Sequence, residues 1–380
     1  MADRRYLLKL LLQSPLLAAL PTSLLARPEL AIPETVRQAL DVFQLKRVAQ
    51  QKLSLAAWHF IVNGADAGKT MAANRAVFDE WEIRVRRMVD VSSLDTFLEL
   101  FGQQLTSPVI LAPIGAQRSV HDEGELATAR AAKKKKHVMI CSMMTHYGYP
   151  EIASVGGQTW FQLYGSAFES QNRHMLEMAE AAGSPVVVLT VDAVGRGNRE
   201  GERWFRREST ADQFGLGNYE GYKGKRGVGD SAMTWGFVEW LKKNTSMKVV
   251  LKGIVTKEDA KLSVKSGADG VIVSNHGGRQ EESNRGTLDS LVEVMEGAGD
   301  DIPVLMDSGV RRGTDTYKAL ALGAKAVCIG RPYLWGLGAF GQEGVERVLK
   351  IEQDELKTIM RFAGATSLGQ IRRGSLVRAD

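Results

Sequence analysis

The chain has only two cysteines, Cys141 and Cys328, in 380 residues. Both sit inside apolar, strand-like runs, so a disulfide framework is excluded and two buried core thiols are expected. No cluster of His, Cys and carboxylate stands at metal-ligand spacing, and no cysteine is placed to act as a nucleophile. Excess charge is equally scarce: 49 basic against 44 acidic side chains give a net charge of +5. Without an arginine-rich or aromatic-basic pattern, nucleic acid is not a partner. The run Lys133-Lys134-Lys135-Lys136 reads as a solvated helix end, where cations offset the helix dipole. Apolar runs are too short for a confident membrane span. No G-x-G-x-x-G follows the first strand-like run, which weighs against a dinucleotide-binding sheet. What remains is 44% hydrophobic and 24% charged residues, the balance of a soluble enzyme. The length suits one large barrel with appendages or two smaller domains.

Arg4-Arg5 precede an apolar run from Leu10 to Ala26 that is broken by Pro15 and Pro21. Paired arginines, a moderately apolar core and an end at Ala26 resemble a twin-arginine export signal over residues 1–26. That reading makes the protein an exported, periplasmic one. A cytoplasmic extension or a helix lying on the membrane surface is the alternative.

Residues 27–104 form an N-terminal cap, with a helical pattern from about Ile32 to Asp90. Val42, Leu45, Val48 and Ala49, then Leu53, Ala57, Phe60 and Ile61, recur at helical spacing. Asn63-Gly64-Ala65 supplies helix-stop chemistry. Eight short apolar runs follow, at Pro108–Ile114, His137–Ser142, Thr159–Tyr164, Val186–Asp192, Lys248–Gly253, Gly270–Asn275, Pro303–Asp307 and Ala326–Gly330. Helical stretches such as Gly124–Lys133, Glu169–Ala182, Lys257–Ser266, Thr287–Gly297 and Thr314–Leu322 separate most of them. Alternating β and α units predict a parallel sheet, and eight units predict an α/β fold of the (β/α)8 TIM-barrel type over residues 105–380. An open doubly wound sheet is the other arrangement. The polar, glycine-rich interval from Gly195 to about Trp235 breaks the rhythm after the fourth strand and reads as a lid.

One stretch organises the rest. Val271-Ile272-Val273 is a strand buried on both faces, and it breaks into Ser274-Asn275-His276-Gly277-Gly278-Arg279-Gln280. An imidazole suits proton transfer near neutral pH, and a guanidinium suits bidentate capture of a carboxylate or phosphate. In a barrel, side chains at the strand carboxyl ends share one face. Those ends carry Pro113-Ile114-Gly115, Ser142, Gln162, Tyr164, Thr190, Asp192, Lys252, Ser274, His276 and Arg279. The last two loops add Asp307, Ser308, Gly309 and Arg311, then Gly330 and Arg331. Loops after strands seven and eight commonly hold a phosphate, so a phosphate-bearing cofactor follows from position.

Ser274 to Gln280 closely resembles the signature of the FMN-dependent L-2-hydroxy acid oxidase/dehydrogenase family, which includes glycolate and lactate oxidases and mandelate dehydrogenase. The similarity extends through Ala112-Pro113, Gly124–Ala127, Gln162–Tyr164, Thr190–Asp192, Leu251–Gly253 and Asp307–Gly313, from about Leu45 to Ile371. The resemblance implies FMN as cofactor and oxidation of a 2-hydroxy acid to a 2-oxo acid. It implies His276 as the base, Asp192 paired to it, and Arg199 and Arg279 on the substrate carboxylate. Tyr164 would hydrogen-bond the substrate and Lys252 would stand at the flavin N1–C2=O edge. Ser142, Gln162, Thr190 and Ser274 would contact the isoalloxazine, with the backbone of Pro113, Ile114 and Gly115 along it. Asp307, Ser308, Gly309, Arg311, Gly330 and Arg331 would serve the cofactor, the last four without Asp307 and Ser308 holding its phosphate. It also implies a homo-oligomer, often a tetramer.

Two positions depart from the family. Phe60 stands where a cap tyrosine usually helps bind the substrate carboxylate, so a charge-assisted hydrogen bond worth about 1.5–3 kcal/mol is lost. Gly115 stands where family oxidases typically have alanine, which favours a dehydrogenase passing electrons to a quinone or cytochrome over one using oxygen. Other readings are an oxygen-using oxidase, a lactate monooxygenase-like enzyme, a non-redox FMN isomerase, or a flavin-binding protein with altered substrate.

Overall fold

Eight parallel strands close into a barrel in the computed structural model, which describes residues 31–206 and 215–379. They are β1 (Val109–Leu111), β2 (Val138–Ser142), β3 (Gln158–Tyr164), β4 (Val186–Thr190), β5 (Lys248–Ile254), β6 (Gly270–Val273), β7 (Val304–Asp307) and β8 (Ala326–Ile329). Neighbours in the chain are neighbours in the barrel, and β8 closes onto β1. The open doubly wound sheet is thereby excluded. Each predicted apolar run became one strand, because a barrel strand is covered on both faces and reads as a continuous apolar run. Alternation sorts the side chains. Ile110, Ile140, Trp160, Val188, Val250, Ile272 and Leu305 pack together in one cluster, while Leu111, Met139, Phe161, Val187, Leu189 and Val249 join the cluster with the surrounding helices.

The helical part of the cap consists of α1 (Val42–Lys52), α2 (Leu55–Val62) and α3 (Lys69–Ala76). Asp41 and Ser54 cap the first two, accepting from Gln44 N at 2.8 Å and Ala57 N at 3.2 Å. The helical pattern does not persist to Asp90. Trp81–Ile83 is a strand pairing antiparallel with Leu376–Arg378, and a hairpin of Leu98–Leu100 and Gln103–Leu105 follows. That hairpin packs into the amino end of the barrel. Phe101 sits edge-on to Trp160 at 5.4 Å, and the Trp160 indole donates to Gln103 Oε1 at 2.6 Å. With one end filled, the cavity forms at the other.

Around the barrel lie α4 (Gly124–Lys135), α5 (Tyr149–Ser154), α6 (Glu169–Ala181), α7 (Glu200–Arg206), α8 (Gly236–Asn244), α9 (Lys257–Lys265), α10 (Thr287–Ala298), α11 (Gly313–Ala321) and α12 (Arg331–Ala363). The last is two helices across a break at Phe340 and Gly341, and α1 packs on it. The insertion after β4 is anchored on two sides. Phe205 of α7 stacks on His59 of α2 at 4.1 Å. Buried Asn218 donates to Met143 O and Thr145 Oγ1, both at 2.9 Å. The export-signal reading falls on residues outside those described. Among the described residues, no helix is long and apolar enough to cross a membrane, and no cluster of three or more His, Cys, Asp or Glu could hold a metal ion.

Candidate active site

Five of the eight barrel strands end at, or just before, a polar side chain. Ser142, Tyr164, Thr190 and Asp307 are the last residues of β2, β3, β4 and β7, and Lys252 lies near the end of β5. Ladder register pairs Ser142 with Gln162, Tyr164 with Thr190, and Thr190 with Lys252. Ser142, Tyr164, Lys252 and Asp307 line a cavity of about 470 Å³. Its wall includes Phe60, Pro113, Ile114, Gly115, Ser142, Tyr164, Arg199, Lys252, His276, Arg279, Asp307, Ser308, Gly309, Arg311, Gly330 and Arg331. Asp192, Gln162, Thr190 and Ser274 stand behind that wall.

The loop after β6 turns sharply. His276, Gly277 and Gly278 have φ of +57°, +70° and +68°, so a histidine occupies left-handed backbone that costs about 1 kcal/mol. A Cβ at Gly278 would stand 2.6 Å from Met71 N, so the loop can press this closely on the cap only with glycine there. Ala65 N donates to Gly278 O at 2.8 Å.

His276 Nδ1 and Asp192 Oδ1 are 2.8 Å apart. Burial alone would push the Asp192 carboxyl up, but His276 and Lys252 outweigh it and hold it below its ordinary value. An ionised Asp192 accepts from Nδ1–H, which leaves Nε2 as the basic nitrogen of a neutral ring. Gly253 lets Asp192 come this close: with φ +114°, a Cβ on it would meet Asp192 N at 2.9 Å. Lys252 is 4% exposed. Its ammonium donates to Ser274 Oγ at 2.9 Å and lies 3.3 Å from Asp307 Oδ2. Desolvation lowers its pKa, yet Asp307 and Asp192 raise it above the ordinary value, so it stays charged. Desolvation pushes the Tyr164 phenol up, keeping it a neutral donor.

Toward the mouth, Arg279 donates to the carbonyls of Phe60 at 2.7 Å and Asn63 at 3.0 Å, and to Glu202 Oε2 at 2.9 Å. A guanidinium has five N–H donors, so two remain for a ligand carboxylate. Arg199 Nε lies 3.3 Å from the same Glu202 oxygen, in ion-pair range without hydrogen-bond geometry. Desolvation, then Arg199, brings Arg279 down to about 10, with Glu202 opposing. The Phe60 ring stands 5.4 Å from the Arg279 guanidinium, a cation–π contact.

At the opposite end Arg311 and Arg331 converge. Desolvation, then Arg75, lowers Arg311 to about 10. Desolvation, Arg279 and Arg311 lower Arg331 as well, as expected of cations gathered where an anion belongs. Arg331 spends three donors on Ile61 O, Gly277 O and Asn63 O, which ties the cap to this end and leaves two.

The residues fit FMN on their own terms. Gln162 is 1% exposed, and both its amide oxygen and nitrogen lack a partner among the described residues. A buried primary amide without partners is costly, and a flavin pyrimidine edge offers the complementary donor and acceptor. Residues 49–378 match the family model described as FMN-dependent dehydrogenase. The chain belongs to that family. It is 39% identical over 355 residues to an L-lactate oxidase of Lysinibacillus sphaericus, covering 88% of this chain and 92% of that protein. It is 37% identical to glycolate oxidase of Spinacia oleracea, covering 90% and 96%. A mandelate oxidase variant solved with (S)-mandelic acid superposes with a TM-score of 0.84 at 34% identity, covering 90% and 99%. This family member is an oxidoreductase with FMN as its cofactor, and the barrel, the family and the cofactor inferred from the sequence all hold.

Sequence reasoning passed over several residues in and around this cavity. Glu202 is 2% exposed and pairs with Arg279 and Arg199; its spacing of three from Arg199, which immediately precedes α7, was the available signal. Asn74 of α3 exchanges two amide hydrogen bonds with Asn275, at 2.8 and 2.9 Å. Met144 lines the cavity, and a Cβ at Gly115 would stand 2.4 Å from its carbonyl oxygen. An alanine there would press on Met144 rather than simply extend into the cavity, which refines the physical reading of that departure.

Proposed function

We propose that this enzyme oxidises an L-2-hydroxy acid to the 2-oxo acid and passes the electrons to a quinone or cytochrome in preference to oxygen. The observation that carries the first part is the His276–Asp192 pair at 2.8 Å, facing one cavity with Arg199, Arg279 and Tyr164. Arg199 and Arg279 hold the substrate carboxylate, and Tyr164 donates to the substrate oxygen. His276 Nε2 takes the proton, and the Asp192 carboxylate stabilises the resulting imidazolium. FMN, when bound, would supply the two-electron acceptor that the oxidation requires. Lys252, buried and charged, would supply a fixed positive charge to the flavin's site. Gln162, Thr190, Ser142 and Ser274 would orient the ring, while Gly309, Arg311, Gly330 and Arg331 would hold the phosphate.

Gly115, packed on Met144, supports the acceptor assignment through the family's glycine–alanine pattern. The names of the oxidase relatives favour the second reading, in which oxygen is the acceptor. Both parts are tested by anaerobic mixing of purified holoenzyme with a panel of L-2-hydroxy acids, followed by admission of air. Loss of flavin absorbance with at least one acid supports the chemistry, and no loss with any acid sinks it. Slow recovery in air supports a dehydrogenase; rapid, peroxide-forming recovery establishes the oxidase instead. A homo-oligomer, export through residues 1–26 and contact with a membrane surface complete the proposal. Light scattering tests the first and fractionation of cells the other two.

A further inference from the structure

Helix α3 buries a polar face. Its buried residues are Thr70 and Asn74, one turn apart and therefore on the same side of the helix. A cap helix held by apolar packing alone would turn hydrophobic side chains inward. These two instead meet the segment that carries His276. Thr70 Oγ1 accepts from Asn284 N at 3.0 Å, and Asn74 Oδ1 accepts from Thr287 N at 3.1 Å. At the front of the same segment, Asn74 and Asn275 exchange amide hydrogen bonds at 2.8 and 2.9 Å. Asn275 immediately precedes His276.

Asn275 uses its whole amide. Its Oδ1 accepts from Asn74 and, at 3.0 Å, from Gly278 N. Its Nδ2 donates to Asn74 and, at 3.2 Å, to Arg285 O. The side chain thus spans the turn of three positive-φ residues, 276–278. Two of those three are glycines, so the turn has little stiffness of its own and takes its shape from what holds it. Asp192 holds the His276 ring, whereas the turn decides where that ring starts. The helix backbone lies close along the returning limb as well: a Cβ at Gly286 would stand 2.8 Å from Ala73 O.

We infer that Asn74 is a positioning residue for the reaction: through Asn275 it fixes the turn that carries His276, and so sets the distance from the base to the substrate. The inference rests on His276 acting as the base, as proposed above. Substrate binding is held separately, since Arg279 takes its bearings from the carbonyls of Phe60 and Asn63. Misplacing a reacting group by about 1 Å can cost about 10²-fold in rate. Loss of the Asn74 amide should therefore slow the chemical step more than it weakens substrate binding.

The test is anaerobic stopped-flow reduction of holoenzyme by L-lactate, glycolate and L-mandelate, with rates referred to bound FMN and each variant kept below its Tm. Asn74→Ala should lower the limiting rate about ten- to hundredfold and change the half-saturating concentration less than about threefold. Asn74→Ala/Asn275→Ala should be no slower than Asn275→Ala alone, because the two amides act as one unit. Asn74→Asp keeps both acceptor contacts but, once ionised, has no hydrogen to donate to Asn275 Oδ1. Its rate relative to wild type should fall as pH rises. A wild-type limiting rate in FMN-loaded Asn74→Ala would overturn the inference, as would losses that multiply in the double variant. Should Asn74→Ala not fold, a ratio to wild type that is constant with pH in Asn74→Asp would overturn it. No flavin reduction by any of the three acids in the wild type would remove the 2-hydroxy acid reading and this one with it, whereas wild-type reduction preserved in the variants removes this one only.

Discussion

Replacing Asp192 by asparagine removes a single charge beside the base and leaves the volume almost unchanged. In the free enzyme the carboxylate accepts from His276 Nδ1 at 2.8 Å. When His276 takes the proton, that contact becomes an ion pair, with the Asp192 side chain 11% exposed and that of His276 19% exposed. Two unit charges about 4 Å apart interact by about 4 kcal/mol at an effective dielectric constant of about 20. Asparagine keeps a neutral hydrogen bond and so returns part of this, since charge-assisted bonds are roughly twice as strong as neutral ones. The net loss is about 2–3 kcal/mol, or about 30- to 200-fold in the rate of flavin reduction. Lys252 retains Asp307 at 3.3 Å, so cofactor binding is expected to persist. The assay is anaerobic stopped-flow reduction of Asp192→Asn holoenzyme, with FMN content measured in the same preparation. A loss of less than about tenfold in fully loaded enzyme would refute the role given to the Asp192 charge.

Lys252→Met leaves Asp307 buried without its cation, a change that costs about 3–5 kcal/mol. A large fall in Tm and weaker FMN binding by fluorescence titration are expected, and an unchanged Tm would contradict the buried pair. Gly253→Ala puts a methyl group 2.8 Å from Asp192 Cβ in backbone at φ +114°. It should lower stability by about 1–3 kcal/mol in denaturant titration and slow flavin reduction as Asp192 is displaced. Retention of both would show that the backbone around Gly253 adapts. Glu352 is fully buried, with neither carboxylate oxygen bonded among the described residues. Burial, reinforced by Glu355 and Asp315 and opposed by Arg311, pushes it up to about 8. From the unfolded value of about 4.3 up to about 8, the folded chain keeps a proton that the unfolded chain has released, so stability declines across that window as pH rises. Glu352→Gln should therefore raise Tm more at pH about 8 than at pH about 5; an equal shift in calorimetry at both would show that the carboxyl does not titrate there.

The barrel was readable because its signal is local. Runs such as Val186–Thr190 and Gly270–Val273 must be apolar at every position when both faces are covered, and the turn chemistry that ends them is written in adjacent residues. The hairpin at Leu98–Leu105 and the pairing of Trp81–Ile83 with Leu376–Arg378 were not readable. Strands of three residues carry little periodicity, and the second pair joins segments far apart in the chain. Helices α5 and α8 were also missed, being short and flanked by the irregular loops that surround the insertion.

By itself, the sequence determined the eight-unit repeat, the histidine–arginine loop and the set of polar groups at strand ends, all properties of short contiguous segments. It also settled the family and the flavin. Only the tertiary structure decided how these groups are spent. Arg279 and Arg331 hold cap carbonyls as well as facing the cavity, Glu202 balances three arginines, and Gly115 makes room for Met144. Each depends on segments far apart in the chain meeting within a few ångströms, and the strength of a charge or the cost of a methyl group is set by what lies there.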